Sequence, residues 1–491
     1  MQLSKSEYMM FLKHPALAWL KKHDKSKIPE IDANLQALFD EGFEFEKYAN
    51  QRFKDAVEVG FNDFSEYKSM PERTRKVIED GAKTVLQGRF ETEHITCICD
   101  VVDIVDDKTL DLYEIKSSTK VKPDHIYDLA FQYVVLETAG YKVRNINLIY
   151  VNRDYVRDGE VDPTNLSAEE DITDQVMDKV EGTKKKIKEA LQVIHSTKMP
   201  DPSPRHVNLG FFNDWMEVYK NLKNVDKYSI YNLIAPGAKR IRDLEDAEIE
   251  KIEDIPYDFK LTPKQLAQVK ATKEDRRIIN EDLIETFLDS LEYPLYFLDY
   301  ETAMSVVPLY DGTRPYQQIP FQYSLHTVEE ADSEPVHTEY LHVKSSNPVP
   351  ELLKSLKNDI GPKGSVIVWY KHFETKRNEE MGDAFPEYKE FLDDINDRVV
   401  DLMEPFNNGW FVDKDFMGSA SIKNVLPVLA PDLSYKKLNV QEGGAAQRLW
   451  MSEIFREEDN QDKEELIKNL IEYCKLDTYA MVRIWQELMK I

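Results

Sequence analysis

The 491-residue chain is poor in cysteine, in long apolar runs and in basic charge, and each shortage removes a class of protein. Three cysteines, Cys97, Cys99 and Cys474, cannot build a disulfide framework, so the cytoplasm is the expected location. No apolar run approaches the roughly 18 residues of a membrane span, and no membrane partner is expected. The opening MQLSKSEYMMFLKHPALAWL reads as an amphipathic helix behind a serine cap rather than as an export signal. Lys and Arg number 64 against 91 Asp and Glu, a net charge of −27. That balance excludes non-specific coating of duplexes, because phosphate neutralisation by Lys and Arg supplies most of such affinity. A carboxylate-rich cation site, a narrow basic channel threading a nucleic-acid end, and a protein partner all remain compatible with it. There is no glycine-rich phosphate loop, no nucleophile elbow and no internal repeat.

What is present is an ordinary globular composition, 42% apolar and 11% aromatic, at a length that implies two or three domains with separate cores. Apolar residues at three- and four-residue spacing predict helices over 5–22, 32–58 and 71–88, then over 123–139 and 168–196. The run KKKIK (184–188) reads as a solvated helix face, with nucleic-acid contact as the alternative. INLIYVN (146–152) reads as a strand, and PDPSPRH (200–206) as a proline-punctuated boundary. Short helices are expected over 207–290. Within them YSIYNLIAPGAKRIRDLEDAEIEKIEDI is either a structural linker or a helix-hairpin-helix with PGAK as its hairpin, a device that grips phosphates through helix-start amides. Strands are predicted at 293–302, 319–328, 338–344 and 365–370, and a helix over about 464–489. The expected fold class is α/β, with domains at 1–199 and 291–491 and a helical connector at 200–290.

Two stretches carry chemistry. The first is DVVDIVDDKTLDLYEIK (100–116), two apolar runs around the turn-like DDKT, which predicts a β-hairpin. Asp100 lies on its first strand. Glu114 and Lys116, two apart, share one face of the second. Two carboxylates and a lysine on adjacent strands can hold a hard divalent cation and orient a water beside it. The second stretch is YPLYFLDYET (293–302), a strand that brings Asp299 and Glu301 to one face, together with EYCKLDTYAMVRIW, where Tyr473 and Asp477 stand one helical turn apart.

The first set resembles the PD-(D/E)XK nucleases and is similar to their RecB-type branch, which includes the CRISPR-adaptation exonucleases. EGFEFEKYA, DVVDIV, LYEIKSS and DLAFQYVVL fill that branch's places in order. The resemblance implies Glu46, Asp100 and Glu114 as metal ligands, Lys116 as the group that stabilises the attacking water or the phosphorane charge, and Gln132 as an orienting residue. Glu44 and Asp103 compete for the first two roles. Many members of the branch hold a [4Fe–4S] cluster on four cysteines. Here the corresponding stretches, FLKHPALAW and PRHVNLGFFNDW, lack cysteine, so no iron–sulfur cluster is expected and Cys97 and Cys99 read as core residues.

The second set resembles the tyrosine-bearing DEDD exonucleases of the RNase H-like fold, in which four carboxylates bind two metal ions. Asp299, Glu301 and Asp477 match that pattern, and Tyr473 takes the place of the residue that positions the water. For the middle motif VWYKHFETKR offers Glu374 at the acidic place, with Lys371 where an Asn would stand and Asp401 in reserve. The whole order resembles a family of fused bacterial nucleases. It implies metal-dependent phosphodiester hydrolysis with Mg2+ or Mn2+, on DNA in preference to RNA, at single-stranded ends. A helicase or a defence-system component would suit it as protein partner. The alternatives are an RNA exonuclease and a nucleic-acid- or partner-binding scaffold with one site inactive; the Lys371/Glu374 pattern points the scaffold reading at the C-terminal unit.

Overall fold

The computed structural model describes residues 1–456 and 463–491. Two compact units divide the chain: Met1–Asn224, Gly237–Lys239 and Ser305–Tyr316 form the first, and Val225–Pro236, Arg240–Met304 and Gln317–Ile491 the second. The stretch expected as a separate connector, 200–290, is thus shared between them. Both units are α/β with mixed sheets. Among the described residues no helix is long and apolar enough to cross a membrane.

The first unit opens with α1 (Lys5–Lys13), started by a capping box in which Ser4 and Glu7 satisfy each other's backbone amides. The single helix expected over 5–22 is two. His14 adopts an extended backbone ahead of Pro15, as a residue preceding proline favours, and its ring caps α2 (Pro15–His23) through the Ala16 amide. The helix expected over 32–58 ends early as α3 (Ala33–Asn50). The one expected over 71–88 is α4 (Phe64–Glu79) followed by a strand, β1 (Thr84–Glu91). Gly81, at φ +94°, stops that helix, and Val85, Leu86 and Phe90 then supply strand-forming side chains.

The hairpin is β2 (Ile95–Ile104) and β3 (Thr109–Lys116), closed by Asp106, whose Oδ1 accepts from the Lys108 and Thr109 amides. The crossover helix α5 (Pro123–Thr138) leads to β4 (Lys142–Val151), parallel to β3. An edge strand, β5 (Ser167–Asp171), takes the first residues of the expected 168–196 helix and leaves α6 (Thr173–His195). The sheet runs β1-β2-β3-β4-β5, extended by the short strand Val57–Glu58 beside β1 and by Leu3–Ser4 beside β2. Its core includes Tyr8, Phe131, Leu110 and Leu112 in one cluster and Phe45, Val101 and Ile115 in another.

Helices α7 (Phe212–Leu222), α8 (Gly237–Asp246), α9 (Pro263–Glu274) and α10 (Glu281–Asp289) follow. PGAK forms the start of α8 rather than the hairpin between two helices, since only a three-residue turn, Ile230–Asn232, precedes it. Trp215 of α7 is buried and stacks on His14 at 3.8 Å between ring centres, so this aromatic packs rather than presenting itself to a base.

The second unit is built on β6 (Leu295–Ala303), β7 (Ile319–Val328), β8 (Val336–Leu341), β9 (Val366–Val368) and β10 (Val399–Asp401), in the order β8-β7-β6-β9-β10. β7 is antiparallel to both neighbours, whereas β9 runs parallel to β6 and β10 parallel to β9. Gly364 lets β9 come alongside: at φ +93°, any Cβ there would lie 2.0 Å from the Pro294 carbonyl oxygen. Helices α11 (Val349–Asp359), α12 (Lys371–Ala384), α13 (Ile422–Leu429) and α14 (Gly443–Trp450) surround the sheet, and the long α15 (Lys463–Leu488) packs across β6 and β7.

Candidate active sites

In the first unit the β2–β3 ladder pairs Val101 with Tyr113 and continues toward the turn. At the other side of that pair Asp100 takes over: its Oδ2 accepts the Ile115 amide at 2.8 Å. Glu114 and Lys116 alternate onto one face, as expected from strand geometry. There the Lys116 ammonium donates to Glu114 at 2.5 Å and to Asp128 of α5 at 2.9 Å. Gln132, one turn after Asp128, donates to Glu114 at 2.6 Å and to Asp128 at 2.9 Å. Lys5 of α1 adds a second ammonium, 2.8 Å from Glu114 and 3.4 Å from Asp128.

Electrostatics ties the set together. Burial, then the charge of Glu114, pushes the Asp100 carboxyl up to about 7. Burial raises Glu46 too, against the hydrogen bond it accepts from Gln87, and Glu114 raises it further. Asp128 moves the other way: burial opposes ionisation, but Lys116 and Lys5 outweigh it and hold the carboxyl well below the usual range. Burial likewise works against charge on Lys116, yet Asp128 and Glu114 keep it firmly protonated. Glu46, Asp100, Glu114, Lys116 and Gln132 are therefore one site. Asp103 is outside it, accepting from Thr84 at 2.6 Å, while Glu46 of α3 senses the charge of Glu114. Sequence reading missed Asp128, whose signal was its place four before Gln132, and Lys5, which reaches Glu114 across 109 residues and left no local signal.

In the second unit β6 presents Asp299 and Glu301, and α15 brings Tyr473, Cys474 and Asp477 over them. Glu374, on the first turn of α12, is 2% exposed and accepts the Tyr300 amide, beyond the residues of β6 that pair with β9. Its other oxygen, Oε2, has no hydrogen-bond partner among the described residues. Burial, then Asp299 and Glu301, raises the Glu374 carboxyl well above its ordinary range. Burial and Asp477 do the same to Asp299; burial, Asp299 and Asp477 do so to Glu301. Asp477 is pushed by burial to about 6, with opposing help from the Tyr435 hydroxyl, which donates at 2.6 Å, from Lys423 and from Tyr473. Four carboxylates thus share one water-poor place: burial favours the neutral form of each, and the charge of neighbouring carboxylates adds to it at Asp299, Glu301 and Glu374.

Lys371 is not part of this cluster. It starts α12 and its ammonium donates to the Val399 carbonyl at 2.7 Å. Asp401, the reserve ligand, is spent on backbone: it accepts the Tyr370 and Lys371 amides at 3.1 and 2.9 Å and so secures the left-handed Tyr370, φ +89°, that launches α12. Two residues were missed. Tyr435 is one. Lys423 is the other, lying over the rings of Tyr435 and Tyr473 at 5.7 and 5.9 Å and anchored on the Gln441 carbonyl at 2.7 Å. Both come from the stretch after Asp401, which carries no spacing that marks them. Gly443 also approaches: a Cβ there would lie 3.5 Å from Glu301 Oε2.

Residues 296–421 match the model of a family described as "Domain of unknown function (DUF2779)", a span that contains Asp299, Glu301 and Glu374. The chain is similar to the "Uncharacterized protein MG366 homolog" of Mycoplasma pneumoniae, 25% identical over 295 residues, 56% of this chain and 42% of that protein. It is also similar to the "Uncharacterized protein MG366" of Mycoplasma genitalium, 28% identical over 205 residues, 38% of this chain and 31% of that protein. The chain therefore spans less than half the length of either relative.

Proposed function

We propose that the chain is a metal-dependent nuclease that hydrolyses phosphodiester bonds of DNA at single-stranded ends, built from two nuclease-type modules. The observation that carries this reading is the cluster of Asp299, Glu301, Glu374 and Asp477, raised together and ending in the unpartnered Glu374 Oε2. An all-oxygen set of mutually repelling carboxylates fits a hard divalent cation. Bound Mg2+ or Mn2+ supplies activation of a water and neutralisation of charge on the leaving oxygen. The four carboxylates would hold the cation; the Tyr435 and Tyr473 hydroxyls hold Asp477 in place, and Tyr473 would orient the attacking water.

Topology supports the same reading. A β8-β7-β6-β9-β10 sheet with only β7 reversed has the strand order of RNase H-like domains, and three antiparallel strands, a helix and a parallel strand have that of PD-(D/E)XK cores. A second reading has one observation in its favour. Both oxygens of Glu114 are already taken, by Lys5, Lys116 and Gln132. That favours a first module that engages the strand while the second cuts, the reverse of what the Lys371/Glu374 pattern suggested.

The test is degradation of 5′- and 3′-labelled single-stranded DNA and RNA with Mn2+, comparing wild type, Lys116→Ala and Asp299→Ala. The expected result is DNA shortening that each variant alters differently. Identical products from both variants would sink the two-module reading, preference for RNA would select the RNA exonuclease, and an inert wild type would leave the scaffold as the better account.

A further inference from the structure

Cys474 takes no part in the proposed reaction, yet it sits inside the cluster. It is fully buried on α15, and its Sγ lies 3.8 Å from Asp299 Oδ2. One oxygen of Asp299, one of Glu301 and this sulfur all fall within 4.8 Å of one another, a spacing that a single ion can bridge. A thiol beside two carboxylates is not by itself a site. The second observation is Glu374, 2% exposed, close enough to Asp299 and Glu301 to feel their charges and left with one oxygen unpartnered among the described residues.

The donor chemistry then divides cations into two groups. Hard ions such as Mg2+ take oxygen and leave sulfur alone. Zn2+ and its relatives accept thiolate and carboxylate together and prefer four ligands. We propose that Asp299, Glu301 and Cys474, beside the buried Glu374, form a site for a thiophilic divalent cation of the Zn2+ class, which competes with Mg2+ or Mn2+ for the same carboxylates. Binding forms a sulfur–metal bond and breaks the S–H bond, and the thiol proton leaves to solvent. The inference rests on the metal-site part of the proposed function and not on phosphodiester cleavage.

Co2+ stands in for Zn2+ in the test, because sulfur-to-cobalt charge transfer absorbs in the near ultraviolet. The full chain is titrated with Co2+ in the absence of nucleic acid. Wild type is expected to develop the band and to lose it when Zn2+ is added. A Cys97→Ser/Cys99→Ser double variant should keep it, and Cys474→Ser should lack it. Loss of this direct ligand should weaken Co2+ binding by more than the roughly 10- to 100-fold typical of losing an outer-shell partner. A band that persists in Cys474→Ser, or wild type that binds Co2+ without one, overturns the proposal. Should Cys474→Ser fail to fold, zinc-edge X-ray absorption on the wild type decides: one sulfur among the nearest neighbours supports the site, and an all-oxygen shell refutes it. Neither readout involves DNA, so failure here and failure of the cleavage assay are told apart.

Discussion

The two acidic sites answer the same problem, carboxylates crowded away from water, in opposite ways. The first unit answers with its own cations. Lys5 and Lys116 face Glu114 and Asp128, Gln132 bridges the pair, and the Asp100 and Glu46 carboxyls stay raised. The second unit has no ammonium in contact with Asp299, Glu301 or Glu374 among the described residues; Lys423 acts on Glu301 and Asp477, and the Arg377 guanidinium on Glu374, only through space. One cluster is largely neutralised by folding. The other is left for something to neutralise, and that difference favours the second unit over the first as the place for the proposed cation.

Activity is where the comparison is expected to show the largest effect. Asp299→Ala removes a direct ligand from the open cluster and should lower Mn2+-dependent cleavage by more than about 100-fold, beyond what loss of an outer-shell partner costs. Lys116→Ala should lower it less, with a change in product polarity or strand affinity; an equal loss in both variants erases the distinction.

Stability comes next, and here the two units should move in opposite directions. Glu114→Gln leaves Lys5 and Lys116 with Asp128 alone and should destabilise the protein by about 3 kcal/mol, the low end for breaking a buried ion pair. Asp477→Asn should stabilise the metal-free protein. The Asp477 carboxyl stands at about 6 folded against an ordinary 3.8, so the folded state holds a proton that the unfolded state has released. Stability is therefore lost as pH rises from about 4 to 6 and is flat above; removing the carboxyl should return up to about 3 kcal/mol near neutral pH and nothing near pH 4. Denaturant melts at the two pH values check both signs. Destabilisation by Asp477→Asn at neutral pH would mean that Asp477 is already neutralised from within.

Thermal shift sharpens the contrast. Mn2+ at about 100 times its dissociation constant should add about 2.7 kcal/mol. Asp299→Ala should abolish that gain, while Asp100→Ala should leave most of it. The smallest effect belongs to Lys423. Lys423→Ala withdraws its charge from Glu301 and Asp477, so the pH at which Mn2+ binds half-maximally should rise by less than about one pKa unit.

Much of this contrast was legible in the chain, and the reasons for what was not are physical. Period-two spacing put Glu114 with Lys116 and Asp299 with Glu301, and helical spacing put Tyr473 with Asp477; the structure places each pair together. In the first site Asp100 was legible on a predicted strand with Asp103 as its rival, and Gln132 came from the resemblance to the RecB-type branch rather than from spacing. The two lysines that neutralise it behave differently. Lys116 was visible because it shares a strand with Glu114, whereas Lys5 arrives on a helix from the other end of the domain. Helix limits failed where one residue overrides a pattern: Pro15 split the first helix, and Gly81 ended α4 before a stretch whose apolar spacing served a strand. Lys371 drew suspicion to the second site by its position in a motif, yet its side chain is turned to the Val399 carbonyl, and the glutamate three residues later is the one that feels Asp299 and Glu301.

The central claim is that the second unit keeps four carboxylates unneutralised for a divalent cation. Electron paramagnetic resonance of Mn2+, titrated into wild type, Asp299→Asn and Glu114→Gln at neutral pH, tests it most directly by counting bound ions. The account expects Asp299→Asn to abolish the tight Mn2+ binding that wild type shows and Glu114→Gln to retain it. Tight binding that survives Asp299→Asn and vanishes in Glu114→Gln would place the cation in the first unit and contradict the account.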